Sequence, residues 1–349
     1  MGLLNHTFVK YLFIKTKGMK TIWTLLMSLV ILTQIQAQDK KQLKKINKKY
    51  NTFEQGKIFA KAKRVAILGD NLRFKIAARQ IEEASWKEDN YYKFAFYAVL
   101  DGLSDELLQE ITNTYHLNLK KRFEELGIEV IPYQELMAAK SYKKLLDKGL
   151  KDTENVKKSW GVAYIYNYDR NPYISWSSAG PFGPHQKIPK ELDAVLFNSL
   201  VTIDFAEIGI DISKSTKKNG TFGSRKTYTE AKSSVVPVIN IDGYTYSSSG
   251  LKMHEDNTFL FCINPKGKQM IMKLDLKPSE IESDIEFVEE IEKCQDCQPK
   301  FTKGFLKMME QGMGTIIIKV DPELYKKAVL DALDQYLDEM FMVINNQRK

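Results

Sequence analysis

The apolar positions recur with clear periods, and those periods divide most of the chain into elements. Residues 93–100 (KFAFYAVL) are aromatic and β-branched, as a buried strand requires, and Asp101-Gly102 ends the run. Ser104 then stands at an N-cap position. Asp105 and Glu106 fill the first turn, where carboxylates favour the positive end of the helix dipole. Leu107, Ile111, Tyr115, Leu119, Phe123 and Leu126 follow every three or four residues and form one apolar stripe. Gly127 suits the C′ position because it tolerates positive φ, and residues 128–131 resume an extended pattern that Pro132 stops. Strand, helix, strand predicts a parallel βαβ unit. Upstream, residues 64–68 read as a short buried strand ending at Gly69-Asp70, and residues 72–84 read as a helix. The N-terminal part is therefore expected to be an α/β layer of at least three strands.

Downstream the pattern changes. Residues 135–150 predict a second helix, and residues 160–168 a strand with Val162, Tyr164, Tyr166 and Tyr168 on one side and Ala163 and Ile165 on the other. Residues 171–185 hold three prolines and two glycines, which exclude regular structure. Tyr173, Trp176, Phe182 and His185 in that loop are a candidate binding rim; the alternative is an Ω-like loop packed over the core. In residues 196–213, Val201, Ile203 and Phe205 alternate, then Ile208, Ile210 and Ile212 alternate in the opposite phase. The slip at Ala206-Glu207 predicts a β-bulge. Asn219-Gly220 is a hairpin turn dipeptide, and residues 235–246 return as a strand that Pro237 confines to an edge or a bulge. Residues 258–263 and 269–276 form another hairpin. Residues 279–293 read as an acidic helix with Ile281, Ile285 and Val288 inward, and residues 315–320 as a β-branched strand. Asp321-Pro322-Glu323 starts a last helix whose inner stripe is Tyr325, Val329, Leu333, Tyr336, Met340 and Val343. The fold class expected is α/β (α+β overall): a βαβ layer at 63–155, antiparallel hairpins at 156–278, and a helix-strand-helix at 279–349 that completes the α/β domain.

The leader changes the reading of charge. Residues 22–35 are mostly apolar behind Lys20, too short for a comfortable membrane span and right for a signal-peptide core, with cleavage expected before Gln38. Met19 opens a complete signal by itself, so residues 1–37 are expected to be removed and the protein to be exported to the periplasm or the outer-membrane periphery. The net charge is +8. Removing the four lysines of the leader from the 52 basic residues leaves 48 against 44 acidic ones, so nucleic acid is not an expected partner. A local basic segment at 38–62 remains. Lys40, Lys41, Lys44, Lys45, Lys48 and Lys49 would line one face of a helix and could touch anionic lipid headgroups, or form a solvated tail.

Few residues carry recognisable chemistry. Cys294 and Cys297 have the spacing of a redox pair, but they follow an acidic segment whose Glu289, Glu290 and Glu292 disfavour a thiolate, so a structural clip is the better reading. Cys262 is the one other thiol and His116, His185 and His254 are scattered, so no metal site is expected. Leu68-Gly69-Asp70-Asn71 resembles the block of GDSL-type hydrolases, but Asn71 stands where the nucleophilic serine belongs and no later Asp-x-x-His supplies a base. Asp70 and Asp101 each close an expected strand and are candidate carboxylates for a shared crevice. Their alternative role is local hydrogen bonding in turns. No phosphate loop, dinucleotide fingerprint or His-Glu-x-x-His occurs, and no cofactor is expected.

The order strand, helix, Gly-Ile-Glu-Val-Ile-Pro-Tyr (127–133) and further helix resembles the curli-secretion-channel lipoprotein family and the N-terminal α/β domain of TolB-type proteins, over about residues 63–150. The hairpin at 201–246 lies where the channel family carries its membrane hairpin. No cysteine for acylation stands at the cleavage point, Asp204, Glu207 and Asp211 depart from a lipid-facing pattern, and no functional residues carry over. The resemblance implies an exported envelope protein. The function expected is non-enzymatic binding of another envelope protein or the envelope surface. The alternatives are an exported thiol-redox protein using Cys294 and Cys297, and a metal-dependent hydrolase using Asp70 and Asp101.

Overall fold

The computed structural model describes residues 40–48, 53–85, 91–147, 156–158, 161–172, 183–218, 225–242, 258–273, 281–294 and 310–348. Residues 40–48 form helix α1, in a unit of its own (Met1–Lys49), with Lys40, Lys41, Lys44, Lys45 and Lys48 exposed along it. Lys49 lies outside the described residues. In the second unit, Tyr50–Lys349, the elements run β1 (Phe53–Glu54), β2 (Arg64–Ser85), β3 (Tyr91–Asp101), α2 (Asp105–Glu125), β4 (Glu129–Val130), α3 (Tyr133–Ala138) and α4 (Lys140–Asp147). Then come β5 (Val156–Lys158), β6 (Gly161–Tyr166), α5 (Ile188–Leu192), β7 (Val195–Lys218), β8 (Arg225–Asp242), β9 (Phe259–Ile263) and β10 (Gln269–Lys273). β11 (Glu282–Ser283), β12 (Val288–Cys294), β13 (Glu310–Val320) and α6 (Pro322–Arg348) end the chain. The class is α/β, with a mixed sheet whose main path is β1-β10-β9-β7-β2-β3-β13-β12.

The capping chemistry acts as the sequence predicts. Ser104 Oγ accepts from Leu107 N at 3.2 Å, Gly127 ends α2 at φ 69°, and Asp321 Oδ1 accepts from Glu323 N and Leu324 N at 2.8 and 3.0 Å. Every residue of the α6 stripe is buried, and all of the α2 stripe except Leu126.

Four expectations are corrected. Residues 72–84 are strand, not helix: β2 runs unbroken for 22 residues from Arg64. Its sequence fits both periods, and the partners decide. β7 and β3 occupy successive stretches of the ladder, and β6 pairs residues 72–78 as well. A strand with partners on both edges satisfies its backbone groups as fully as a helix does. In consequence α2 does not cross over between parallel neighbours. β3 pairs β2 antiparallel, whereas β4 pairs the first two residues of β2 in parallel. Of the expected helix at 279–293, the described residues 281–293 are not helical either. β11 and β12 are strands, with Ile281 buried just before β11 and Phe287 buried just before β12, and β12 edges the sheet along β13. Lys319 on β13 bonds both Glu290 and Glu292, which lets an acidic strand sit there. The expected helix 135–150 is divided at Ala139, whose ψ of 130° is extended.

Other details hold to within a residue. The irregularity expected at Ala206-Glu207 of β7 is a register shift beside it, but the extra residue is on the partner: Asp204 pairs Asn240 and Ala206 pairs Pro237, so Val238 and Ile239 of β8 together oppose Phe205, and Pro237 adjoins that bulge. Asn264 Oδ1 closes the β9–β10 turn by accepting from Lys266 N and Lys268 N, with Gly267 at φ 78°. The β2–β6 register shifts between Lys75 and Ala77, and there Gly161 (φ 145°) comes so close that a Cβ would lie 1.9 Å from Ala77 O.

Side chains pack on both faces of the central strands. On one, Phe123 of α2 meets Phe59, Phe197 of β7 and Phe341 of α6 at ring-centroid distances of 6.2, 5.4 and 4.9 Å. On the other, Ala66, Leu68, Leu196, Leu200, Phe261 and Ile263 are covered by residues of α3, α4 and α5, Tyr142 among them. Each large side chain so buried contributes about 1.5–3 kcal/mol.

Candidate functional site

Two features stand out from the packing: a buried carboxylate–imidazole pair at the centre of the sheet, and a two-stranded ribbon at its margin.

Asp70 lies mid-strand in β2, next to the register shift between Ile67 and Gly69, and its ladder partner on β7 is Ser199. Its side chain is 2% exposed, and Oδ2 lies 2.5 Å from Nδ1 of His116 on α2. The imidazole is stacked on Tyr168, centroids 3.7 Å apart and planes 12° apart. Tyr168 opens a short 3-10 turn in which Asp169 and Arg170 hold positive φ, 48° and 54°. Non-glycine residues in that region cost energy and persist where surrounding contacts over-determine them. Here those contacts are visible. Gln109 Nε2 donates to Asn167 O at 2.9 Å, Asp169 N donates to Asn113 Oδ1 at 3.0 Å, and Asp105 accepts from Tyr166 and Arg170. The α2 face between Asp105 and His116 is thus laced to β6 and the turn that follows it.

Beside the pair, Gly69 makes room for two amides. A Cβ there would fall 2.6 Å from Asn71 Nδ2 and 2.8 Å from Asn198 Oδ1. Asn71 Nδ2 donates to Ser199 O at 2.9 Å, while Asn71 Oδ1 and Asn198 Oδ1 are buried with no protein partner among the described residues. Burial pushes the Tyr115 phenol well above its usual range, and Asp70 adds to that.

Chemically, the carboxylate fixes the imidazole's orientation as it does in general-base dyads. The dyad is not extended to a nucleophile: among the described residues no hydroxyl or thiol hydrogen-bonds Nε2 of His116. What the arrangement does is join β2, α2 and the turn after β6.

The Asp105 junction yields a pH dependence. Hydrogen bonds from Tyr166, and then from Arg170, hold the Asp105 carboxyl below its usual value. A depressed folded-state pKa stabilises above the ordinary carboxylate range, and the gain is lost as pH falls through the folded value. Asp105 is half-exposed, so the effect is small. Asp105→Asn is expected to flatten the acid limb of a plot of urea midpoint against pH without moving the neutral-pH midpoint by more than about 0.5 kcal/mol equivalent.

The sequence-derived candidates fall as follows. Asp70 is not at a strand end, and Asp101 ends β3 exposed, its Oδ1 accepting from Gly102 N. The β2–β3 register puts Asp101 level with Lys75, five positions from Asp70 and about 17 Å away along the strand, so the two are not gathered. Cys294 is disulfide-bonded at the end of β12, Cys297 lies outside the described residues, and Cys262 is a free, buried thiol whose pKa burial raises. Tyr173, Trp176 and Phe182 also lie outside the described residues. His185 is inside the core, edge-on to Phe261 at 5.9 Å, rather than on a rim. His116 and Tyr168 were not singled out beforehand. Their signal, a histidine beside a helix's buried stripe, points nowhere until the fold brings residue 70 to it.

The ribbon is the outer part of β7–β8. From Ala206↔Pro237 to Lys218↔Arg225 the two strands pair with each other and, among the described residues, with no third strand. Thirteen positions of β7 make it about 40 Å long. Its faces differ. Ile208↔Val235, Ile210↔Ser233 and Ile212↔Ala231 lie on the half-buried face, while Glu207, Asp211, Ser213, Glu230, Lys232 and Val236 are exposed on the other. Among the described residues no helix is long and apolar enough to cross a membrane.

No family model, curated protein or solved structure matches this chain.

Proposed function

We propose that this is an exported envelope protein, resident in the periplasm or at the outer-membrane periphery, that acts by binding and not by catalysis. The observation that carries the reading is the β7–β8 ribbon. A two-stranded extension with an apolar face adds little to its own domain's stability. Such a face is worth keeping where something else covers it. The leader-like N-terminus supports the location. The Asp70–His116 pair supports a holding role, because its carboxylate and ring are used to join elements.

The test is fractionation of producing cells with a carbonate wash, for the full chain and for a variant whose residues 207–236 are replaced by a short glycine turn. The expected result is a mature protein beginning at Gln38, held in the envelope fraction by the full chain and released in the variant. Equal distribution of the two would overturn the reading.

A further inference from the structure

We propose that the lysine face of α1 docks on an anionic lipid leaflet; this adds a second contact to the envelope-binding reading and rests on it. Lys40, Lys41, Lys44, Lys45 and Lys48 are all exposed on the helix. At about 100° per residue they fall within an arc of about 140°, along about 12 Å of axis. Leu43 and Ile46 lie on the opposite side of the helix, and there Ile46 is buried and Leu43 half-buried. The cationic face is therefore the outward one. No aspartate or glutamate stands between Lys40 and Phe53, and Asp39 is the one acid among residues 1–53. Such a face works against its own helix. Lys40 and Lys44, Lys41 and Lys45, and Lys44 and Lys48 set like charges one turn apart, and each such pair is destabilising. A helix this short is marginal by itself. A tail that only has to stay solvated gains nothing from the arrangement, whereas an anionic surface relieves every pair at once.

The choice of a lipid leaflet over an acidic protein or a nucleic acid comes from what precedes the helix. The apolar stretch 22–35 ends five positions before Lys40. Chain of that length spans at most about 17 Å. With the leader in the bilayer, α1 is thus held near the headgroups, where the potential of an anionic leaflet decays over about 8–10 Å at ordinary ionic strength. After cleavage before Gln38 the same face stands two residues from the new N-terminus. Clusters of lysines on an amphipathic helix are what anionic headgroups attract, each cation adding to the binding. Because Ile46 is turned inward, the contact is made by charge and not by insertion. Salt and alkali strip a contact of that kind. Protein that survives a carbonate wash is held by something else, so the ribbon and α1 are tested separately.

The test is co-sedimentation of the mature full chain with vesicles of phosphatidylcholine, with or without phosphatidylglycerol. The wild type is expected to bind only the anionic vesicles, and to be released as sodium chloride rises from about 0.05 to about 0.5 M. Replacing Lys40, Lys41, Lys44 and Lys48 together by glutamine should lower the partition coefficient at least about tenfold. Glutamine has nearly the helix propensity of lysine, so an unchanged thermal midpoint and far-ultraviolet dichroism are expected to show the fold intact. Replacing the same four by arginine should leave binding at the wild-type level, because the charge is what is recognised. Four results would overturn the inference: no wild-type binding to anionic vesicles, a glutamine variant that binds as the wild type does, binding that salt does not weaken, or binding to polyglutamate with none to vesicles. Should the wild type ignore the vesicles while the 207–236 replacement is still released from the carbonate-washed envelope fraction, the envelope-binding reading stands and the lipid assignment alone fails.

Discussion

His116→Ala is expected to destabilise the protein by about 3–5 kcal/mol, read as a shift in urea midpoint at neutral pH. The substitution strips the buried Asp70 carboxylate of the one side chain that bonds it among the described residues and leaves it inside the sheet, 2% exposed. Removing one member of a buried pair costs far more than the pair contributes, because the remaining group keeps its desolvation penalty. Asp70→Asn in the same background should recover part of the loss, since an amide is cheaper to bury than a carboxylate. A double-mutant cycle should then give a coupling on the order of 1–3 kcal/mol. Tyr168→Ala, which removes the stacked ring alone, should cost only about 0.5–1.5 kcal/mol beyond the area lost. Losses that simply add would mean that the ring and the carboxylate act independently, and the joining role assigned to them would fall.

Phe123→Ala is expected to cost about 3–5 kcal/mol, in the range found for large aromatic truncations in close-packed cores. Phe123 has no exposed surface and touches three other aromatic rings, contributed by the segment before β2, by β7 and by α6. A cavity at that point loosens both long helices from the sheet at once. Against a total stability of about 5–15 kcal/mol, the variant should populate unfolded chain at moderate temperature. Phe53→Ala, at an exposed position on β1, should stay within about 0.5 kcal/mol of wild type. A near-neutral Phe123→Ala would show that the α2–α6 contact is not part of the cooperative core.

The elements that could be read in advance are those whose signal is local. Ser104, Gly127 and Asp321 terminate helices through hydrogen bonds and backbone angles formed within four residues of themselves. The stripes of α2 and α6 need only one buried face, so each was legible with its inward residues named. The change of phase in β7 marked the place of a register shift, but which strand carries the extra residue was settled only by the pairing, which puts it in β8.

What the sequence left open is everything that depends on partners. Residues 72–84 carry a pattern compatible with helix and strand, and the strand won because β7, β3 and β6 supply ladder bonds that no local propensity records. Val288, Glu290 and Glu292 looked helical by spacing and acidity, yet Lys319 across the ladder makes a strand of them. Asp70 and His116 lie 46 residues apart and are joined through a helix face and a mid-strand position. Neither is unusual in its own neighbourhood, so no window of sequence could have paired them. Backbone caps and apolar periods are properties of a segment and survive in the unfolded chain's own order; strand pairing, register and buried charge contacts are properties of segments brought together, and only the folded sheet decides them.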